Sequence, residues 1–211
     1  DGSNKIEVSD TPDTGLLTGA RTLLHFGDGA TPDYSTPHYS DIIFRYDSKG
    51  NRIRTTQYSG EGTKTSLATI GAQVTEACFG VLNQPSGCQD DGYFAYLRWE
   101  KNAKNKTTSW TYDYSLGLPV SETDPNGAIT YAFYDPFGRY SSVILPGDNS
   151  ISPTYKFEFH DGAPFWVVVS QKTAYGLTSQ TRRIYDGLGR VIQSQQANLQ
   201  LASGYKDVVV D

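Results

Sequence analysis

Methionine is absent from all 211 residues, position 1 included, and the expectation is a processed product or an excised piece of a longer protein. Long hydrophobic runs are absent as well. No stretch of 18 apolar residues occurs, which excludes a transmembrane helix. No charged segment followed by an apolar one opens the chain, so no signal peptide is visible. Basic charge is scarce: 18 Lys and Arg stand against 23 Asp and Glu, for a net charge of −5. The one short basic cluster, Lys101-Asn-Ala-Lys-Asn-Lys106, has the composition of a solvated hairpin tip. Without a concentrated basic face, no nucleic-acid partner is expected. Helix signals are missing too. Residues 65–74 are the only candidate, and they lack both caps and a helical period.

Catalytic signatures are equally scarce. No Gly-x-Ser-x-Gly and no phosphate-binding Gly-rich loop occurs. The three histidines, His25, His38 and His160, form no His-x-x-x-His pair, so neither a metal site nor a cofactor is expected. His160-Asp161 beside Gly162 reads as a hairpin end. Asp28 and Asp33 have the oxygen-rich composition of a calcium loop, but their spacing fits no EF-hand and they read as a polar turn. Glu122, Asp124 and Glu158 are carboxylates that a glycosidase would need in pairs, and nothing in the sequence pairs them. The expectation is a protein that is not an enzyme.

Cysteine is limited to Cys78 and Cys88. Gly80 and the turn-forming Asn83-Gln-Pro-Ser-Gly87 lie between them, so a disulfide across this loop is one reading, and it would suit an extracellular or periplasmic protein. Two buried free thiols are the other. A zinc site lacks its second ligand pair.

What the chain has in quantity is strand formers and turn formers. Fifteen Tyr, nine Phe and three Trp are interspersed with 21 Gly and 10 Pro. Residues 129–144 read as one β-hairpin. Ile129, Tyr131 and Phe133 alternate with Thr130, Ala132 and Tyr134, and Asp135-Pro-Phe-Gly138 supplies the turn. Residues 39–46 and 51–58 form a second hairpin, 154–160 a further strand, 164–172 an apolar one, and 208–210 a last one. Residues 93–99 read as an aromatic strand that turns at 102–106 and returns through Trp110 and Tyr112. Tyr96, Trp99, Trp110 and Tyr112 are candidates for cross-strand pairing, or for stacking on a glycan. Residues 1–38 are the least regular, with edge strands at most. From 39 to 211 the chain reads as a hairpin array, interrupted at about 60–92 by an insertion carrying the cysteines.

One unit recurs. Tyr46-Asp47-Ser-Lys-Gly50, Tyr134-Asp135-Pro-Phe-Gly138-Arg139 and Tyr185-Asp186-Gly-Leu-Gly189-Arg190 each end a strand, turn over two residues and restart after Gly. This resembles the YD-repeat or Rhs-repeat family of toxin-complex components, Rhs effectors and teneurins. The match is best over 107–196. The resemblance implies an all-β fold, in which antiparallel hairpins stack in a continuous curved or spiralling sheet. In that family such sheets close into shells. Rhs and toxin-complex arrays end in paired Asp-Pro-x-Gly elements that cleave the chain; here Asp124-Pro-Asn-Gly127 stands alone in mid-chain and reads as a turn.

The expected function is therefore a structural scaffold segment of a larger secreted or surface protein, building a shell or fibre by hairpin stacking and self-association. A carbohydrate- or protein-binding adhesion module and a shell piece of a toxin protein are the alternatives. The partners implied are the rest of a parent chain or further copies, through strand edges, with glycans or an enclosed cargo as further ligands. The expected location is extracellular or cell-surface.

Overall fold

Alternating side chains and frequent turn residues give a chain built from strands. The computed structural model describes residues 16–27, 33–83, 87–89, 95–173, 177–197 and 205–208. Among these there is no helix, and none that is long and apolar enough to cross a membrane. Residues 65–74, the one helical candidate, run instead through a loop into a strand from Ala72.

The strands in chain order are β1 (Gly19–Phe26), β2 (Pro37–Tyr46), β3 (Arg52–Tyr58), β4 (Gly62–Thr63), β5 (Ala72–Cys78), β6 (Val81–Asn83), β7 (Gly87–Gln89), β8 (Trp99–Lys101) and β9 (Thr107–Asp113). They continue as β10 (Leu118–Thr123), β11 (Ile129–Tyr134), β12 (Tyr140–Ile144), β13 (Tyr155–His160), β14 (Phe165–Lys172), β15 (Thr178–Tyr185), β16 (Val191–Ala197) and β17 (Tyr205–Val208). Each pairs antiparallel with its chain neighbour in one open sheet, except that β4 branches onto β2 and β6–β7 form a separate ribbon. Two expected strands have different limits. The aromatic strand begins only at Trp99, because 95–98 are irregular and Tyr93 lies outside the described residues. The last strand is Tyr205–Val208, and the remainder of 208–210 lies outside them.

The chain divides into two compact units, Asp1–Ser109 and Trp110–Asp211. In the first unit, β1 pairs with β2 across a bulge between Leu23 and His25. The segment after β3 doubles back so that Gly62 and Thr63 pair with Tyr39 and His38. The side chain that anchors it is Asp41, fully buried in β2. Arg21 donates to both carboxylate oxygens of Asp41. It also donates to the carbonyls of Thr63 and Ser66, each at 2.8 Å. The Ala68 N–H donates to Asp41 Oδ2 at 2.7 Å. A buried charge pair is tolerable only when its remaining donors and acceptors are satisfied in this way. Gly62 is required beside it, since a Cβ there would lie 2.2 Å from Asp41 Oδ2.

In the second unit, β13 and β14 pair over six residues, with Phe157 opposite Val169 and Phe159 opposite Val167. Among the described residues, Val168 and Ile144 are its buried hydrophobic side chains, and Ala68 and Cys78 those of the first unit. That is a thin core for sheets of this extent. Along β11 exposure alternates, and Ile129, Tyr131 and Phe133 are exposed. Ring contacts then carry part of the packing: Tyr134 stacks on Tyr140 at 4.9 Å, His160 on Trp166 at 4.7 Å, and the Arg139 guanidinium sits 4.0 Å over Phe159.

Candidate functional site

The recurrent turn is the most regular piece of geometry in the protein. At Asp135 the backbone N–H donates to the Arg139 carbonyl (2.8 Å) and the carbonyl accepts from Gly138 N–H (2.9 Å). The side-chain Oδ1 accepts from the N–H groups of Phe137 (2.9 Å) and Arg139 (3.0 Å). One carboxylate oxygen thus satisfies two donors that a tight turn would otherwise leave open. Gly138 takes φ +76°, where a Cβ is strained.

The same circuit closes the turns at Asp47 and Asp186. Oδ1 of Asp47 accepts from Lys49 and Asn51, and Oδ1 of Asp186 from Leu188 and Arg190, all at 2.9 Å. The circuit also closes two turns that the Tyr-Asp pattern passes over. At Asp124, Oδ1 accepts from Asn126 (2.8 Å) and Ala128 (2.9 Å). At Asn102, the amide oxygen accepts from Lys104 (2.9 Å) and Lys106 (3.1 Å). The fourth residue has positive φ in each, from 57° at Asn105 to 90° at Gly50. A pattern allowing Asn at the first and fourth positions finds all five.

The tyrosine before the aspartate reaches back to an earlier part of the chain. Tyr134 donates to the Pro119 carbonyl at 2.7 Å and Tyr46 to the Leu17 carbonyl at 2.8 Å, while Tyr185 packs its ring against Phe165 at 5.3 Å. Burial and the neighbouring Tyr140 hydroxyl push the Tyr134 phenol up to about 12. After the aspartate, Arg139 Nε bonds Asp135 Oδ2 at 2.7 Å, and Arg190 Nε bonds Asp186 Oδ2 at 2.7 Å. Arg139 also bridges to the next turn, its Nη1 lying 2.6 Å from Asp161 Oδ1.

The carboxylates of Asp124, Asp135 and Asp186 are held below the usual aspartate range. For Asp186 the cause is first the Arg190 N–H and side chain, and for Asp124 the N–H groups of Ala128 and Asn126. At Asp135 burial pushes the other way and is outweighed by the Arg139 N–H and guanidinium and the Phe137 N–H. Hydrogen bonds made to the ionised form account for the direction.

Cys78 and Cys88 are joined in a disulfide with Cα atoms 5.4 Å apart, Cys78 fully buried. It ties β5 to the β6–β7 ribbon. Tyr96 and Trp99 belong to the first unit, Trp110 and Tyr112 to the second. Ser109, not Trp110, lies opposite Trp99 in the β8–β9 register. Trp110 Nε1 donates to Glu122 at 3.1 Å. Glu158 is paired with Lys156 at 2.7 Å.

A second cluster gives no local signal in the sequence. The bulge in β1 sets His25 opposite His38, and the rings stack at 4.6 Å. Glu61, just before β4, meets both: His25 Nε2 lies 3.0 Å and His38 Nδ1 3.0 Å from Glu61 Oε2. The hydrogen bond from His25, with the charge of both rings, holds the Glu61 carboxyl below its ordinary range. Among the described residues this is the one group of three such side chains with ligand atoms all within 4.8 Å of one another.

Comparison with protein-family models finds none that matches this chain, and comparison with curated proteins finds no matching relative.

Proposed function

We propose that this chain is a segment of a YD-type hairpin-repeat scaffold, without catalytic activity of its own, from a larger secreted or surface protein. The observation that carries the reading is the shared circuit of hydrogen bonds at Asp47, Asn102, Asp124, Asp135 and Asp186. A turn repeated with the same bonds while its other residues vary is a rule for adding strands, and repeat proteins extend by such rules. The exposed apolar side chains of β11 support a covered face in the assembled state: Ile129, Tyr131 and Phe133 alternate onto one side of the strand. Further hairpins, a second copy or an enclosed cargo would cover them. The disulfide suits an oxidising location outside the cell. The spiralling of the sheet and its closure around a toxin rest on the resemblance alone.

The outermost strands in the sheet order are β1 and β17, and unpaired edges recruit further strands. Light scattering across a wide concentration range tests this. The expected outcome is a mass that rises with concentration. A monodisperse monomer throughout would count against edge pairing. Tryptophan fluorescence against a polysaccharide panel separates the adhesion reading: the scaffold reading expects no response, and one lost on Trp110→Phe would favour adhesion.

A further inference from the structure

We propose that His25, His38 and Glu61 form a binding site for one divalent first-row transition-metal ion, zinc being the best fit, with a coordination position left open to solvent. The ligands come from three chain segments and converge at the corner where β1, β2 and β4 meet. His25 Nε2 lies 3.1 and 3.0 Å from the two carboxylate oxygens of Glu61, and His38 Nδ1 lies 3.0 Å from one of them. Ligand atoms that share a tetrahedral zinc ion at about 2.0–2.2 Å stand about 3.3–3.6 Å apart, so each His–Glu spacing has to widen by only a few tenths of an ångström to take a shared ion.

The hydrogen-bonding polarity asks for a cation. His25 Nδ1 lies 2.9 Å from the Gly27 carbonyl, which only accepts, so Nδ1 carries the hydrogen. In the neutral ring the lone pair is then on Nε2, aimed at a carboxylate that also only accepts. Either a second proton or a metal ion has to stand between them. An imidazole that donates its other N–H to a backbone carbonyl has the outer-shell arrangement usual for metal ligands. Gly27 is built for that role. It has φ +68°, its N–H donates to the Thr36 carbonyl at 2.9 Å, and a Cβ there would lie 3.0 Å from the Asp33 nitrogen.

The segment that carries the third ligand is anchored on its C-terminal side. Glu61 precedes Gly62, and Arg21 fixes the segment that follows through the carbonyls of Thr63 and Ser66. Two imidazoles with one carboxylate suit zinc and its neighbours better than calcium or magnesium, which prefer all-oxygen shells. The side chains of His25 and Glu61 are 42% and 41% accessible, so an ion has a route in and a water can complete its shell. Co-ligation requires the stacked rings to open. A small rotation of the exposed His25 ring, within the tolerance of its hydrogen bond to the Gly27 carbonyl, does this.

The test uses the full chain with its disulfide intact, dialysed against a chelator and then titrated with Zn2+ by calorimetry at neutral pH, with Co2+ as a spectroscopic probe. The expected result is one ion per chain, visible absorption bands of nitrogen- and oxygen-ligated cobalt, and a melting temperature that rises with zinc. His25→Ala and His38→Ala should each weaken binding by more than about tenfold. His160→Ala, which alters the remaining histidine, should leave it unchanged. Circular dichroism of each variant establishes that it is folded before titration. A native protein that binds no zinc holds a proton where the ion is proposed, and this overturns the site. Binding that survives both His25→Ala and His38→Ala overturns it equally.

Discussion

In the second unit the β11–β12 hairpin is closed by residues four apart: Asp135 holds the N–H groups of Phe137 and Arg139 and the side chain of Arg139. In the first unit β2 is held by residues that are remote in sequence. Asp41 meets Arg21 and Ala68, and His38 meets His25 and Glu61. The local rule recurs in both units, at Asp47 and Asn102 in the first and at Asp124, Asp135 and Asp186 in the second; the first unit depends in addition on side-chain nodes made once. Local circuits are short loops with little closure entropy, and each can fail alone, whereas a buried node that fails leaves charges unpaired.

The largest effect should come from the node. Asp41→Ala leaves the Arg21 guanidinium, which is 9% accessible, without its carboxylate, and should destabilise the first unit by about 3–5 kcal/mol. Urea unfolding followed at Trp99 and at Trp110 separates the units: the Trp99 transition should move and the Trp110 transition should stay. Next comes the disulfide. The cysteines are 10 apart in sequence, and removing the bond by Cys78→Ala with Cys88→Ala should cost about 3 kcal/mol by loop entropy, read in the same experiment. The hairpin turn is smaller. Asp135→Ala removes two backbone acceptor bonds and the Arg139 contact, for about 1–2 kcal/mol, and should move the second unit alone. Smallest is Asn105, which takes φ 57° where its equivalents are glycine. Asn105→Gly should lie within about 0.5 kcal/mol of neutral, and Asn105→Ala should cost about 1 kcal/mol.

The same contrast decides how much could be read from the chain alone. Asp135 and Asp186 were legible as turns because their partners lie within four residues and glycine marks the positive φ. Residues 102–106 read as a turn and a solvated tip, but not as a copy of the recurrent unit. Asn stands for Asp there, and Asn105 for Gly, although both substitutes make the same bonds. The all-β architecture and the hairpins followed from alternation. The extent of β8 did not, since aromatic composition at 93–99 says nothing about which residues pair. Asp41 looked like any polar residue of an alternating strand, and nothing local announces that Arg21 and Ala68 will satisfy it. His25 and His38 are brought together by a bulge, which shifts the register by one residue without a sequence signal, and Glu61 joins them by a fold-back of the chain.

One hydrogen-bond circuit closes the repeated turns, through a carboxylate in four of them, and Asn102 is its internal control because an amide does not titrate. The folded-state pKa values of Asp124, Asp135 and Asp186 lie below their ordinary value. Their contribution to stability is therefore present above the ordinary carboxylate range, and is lost as pH falls through the depressed values, below about pH 4. The direct measurement is an NMR pH titration of the amides that face these oxygens. Asn126, Phe137 and Leu188 should shift together with midpoints below that of a free aspartate, and Lys104 over Asn102 should stay flat. Midpoints at the free-aspartate value, or a Lys104 amide that titrates with the other three, would contradict the shared circuit.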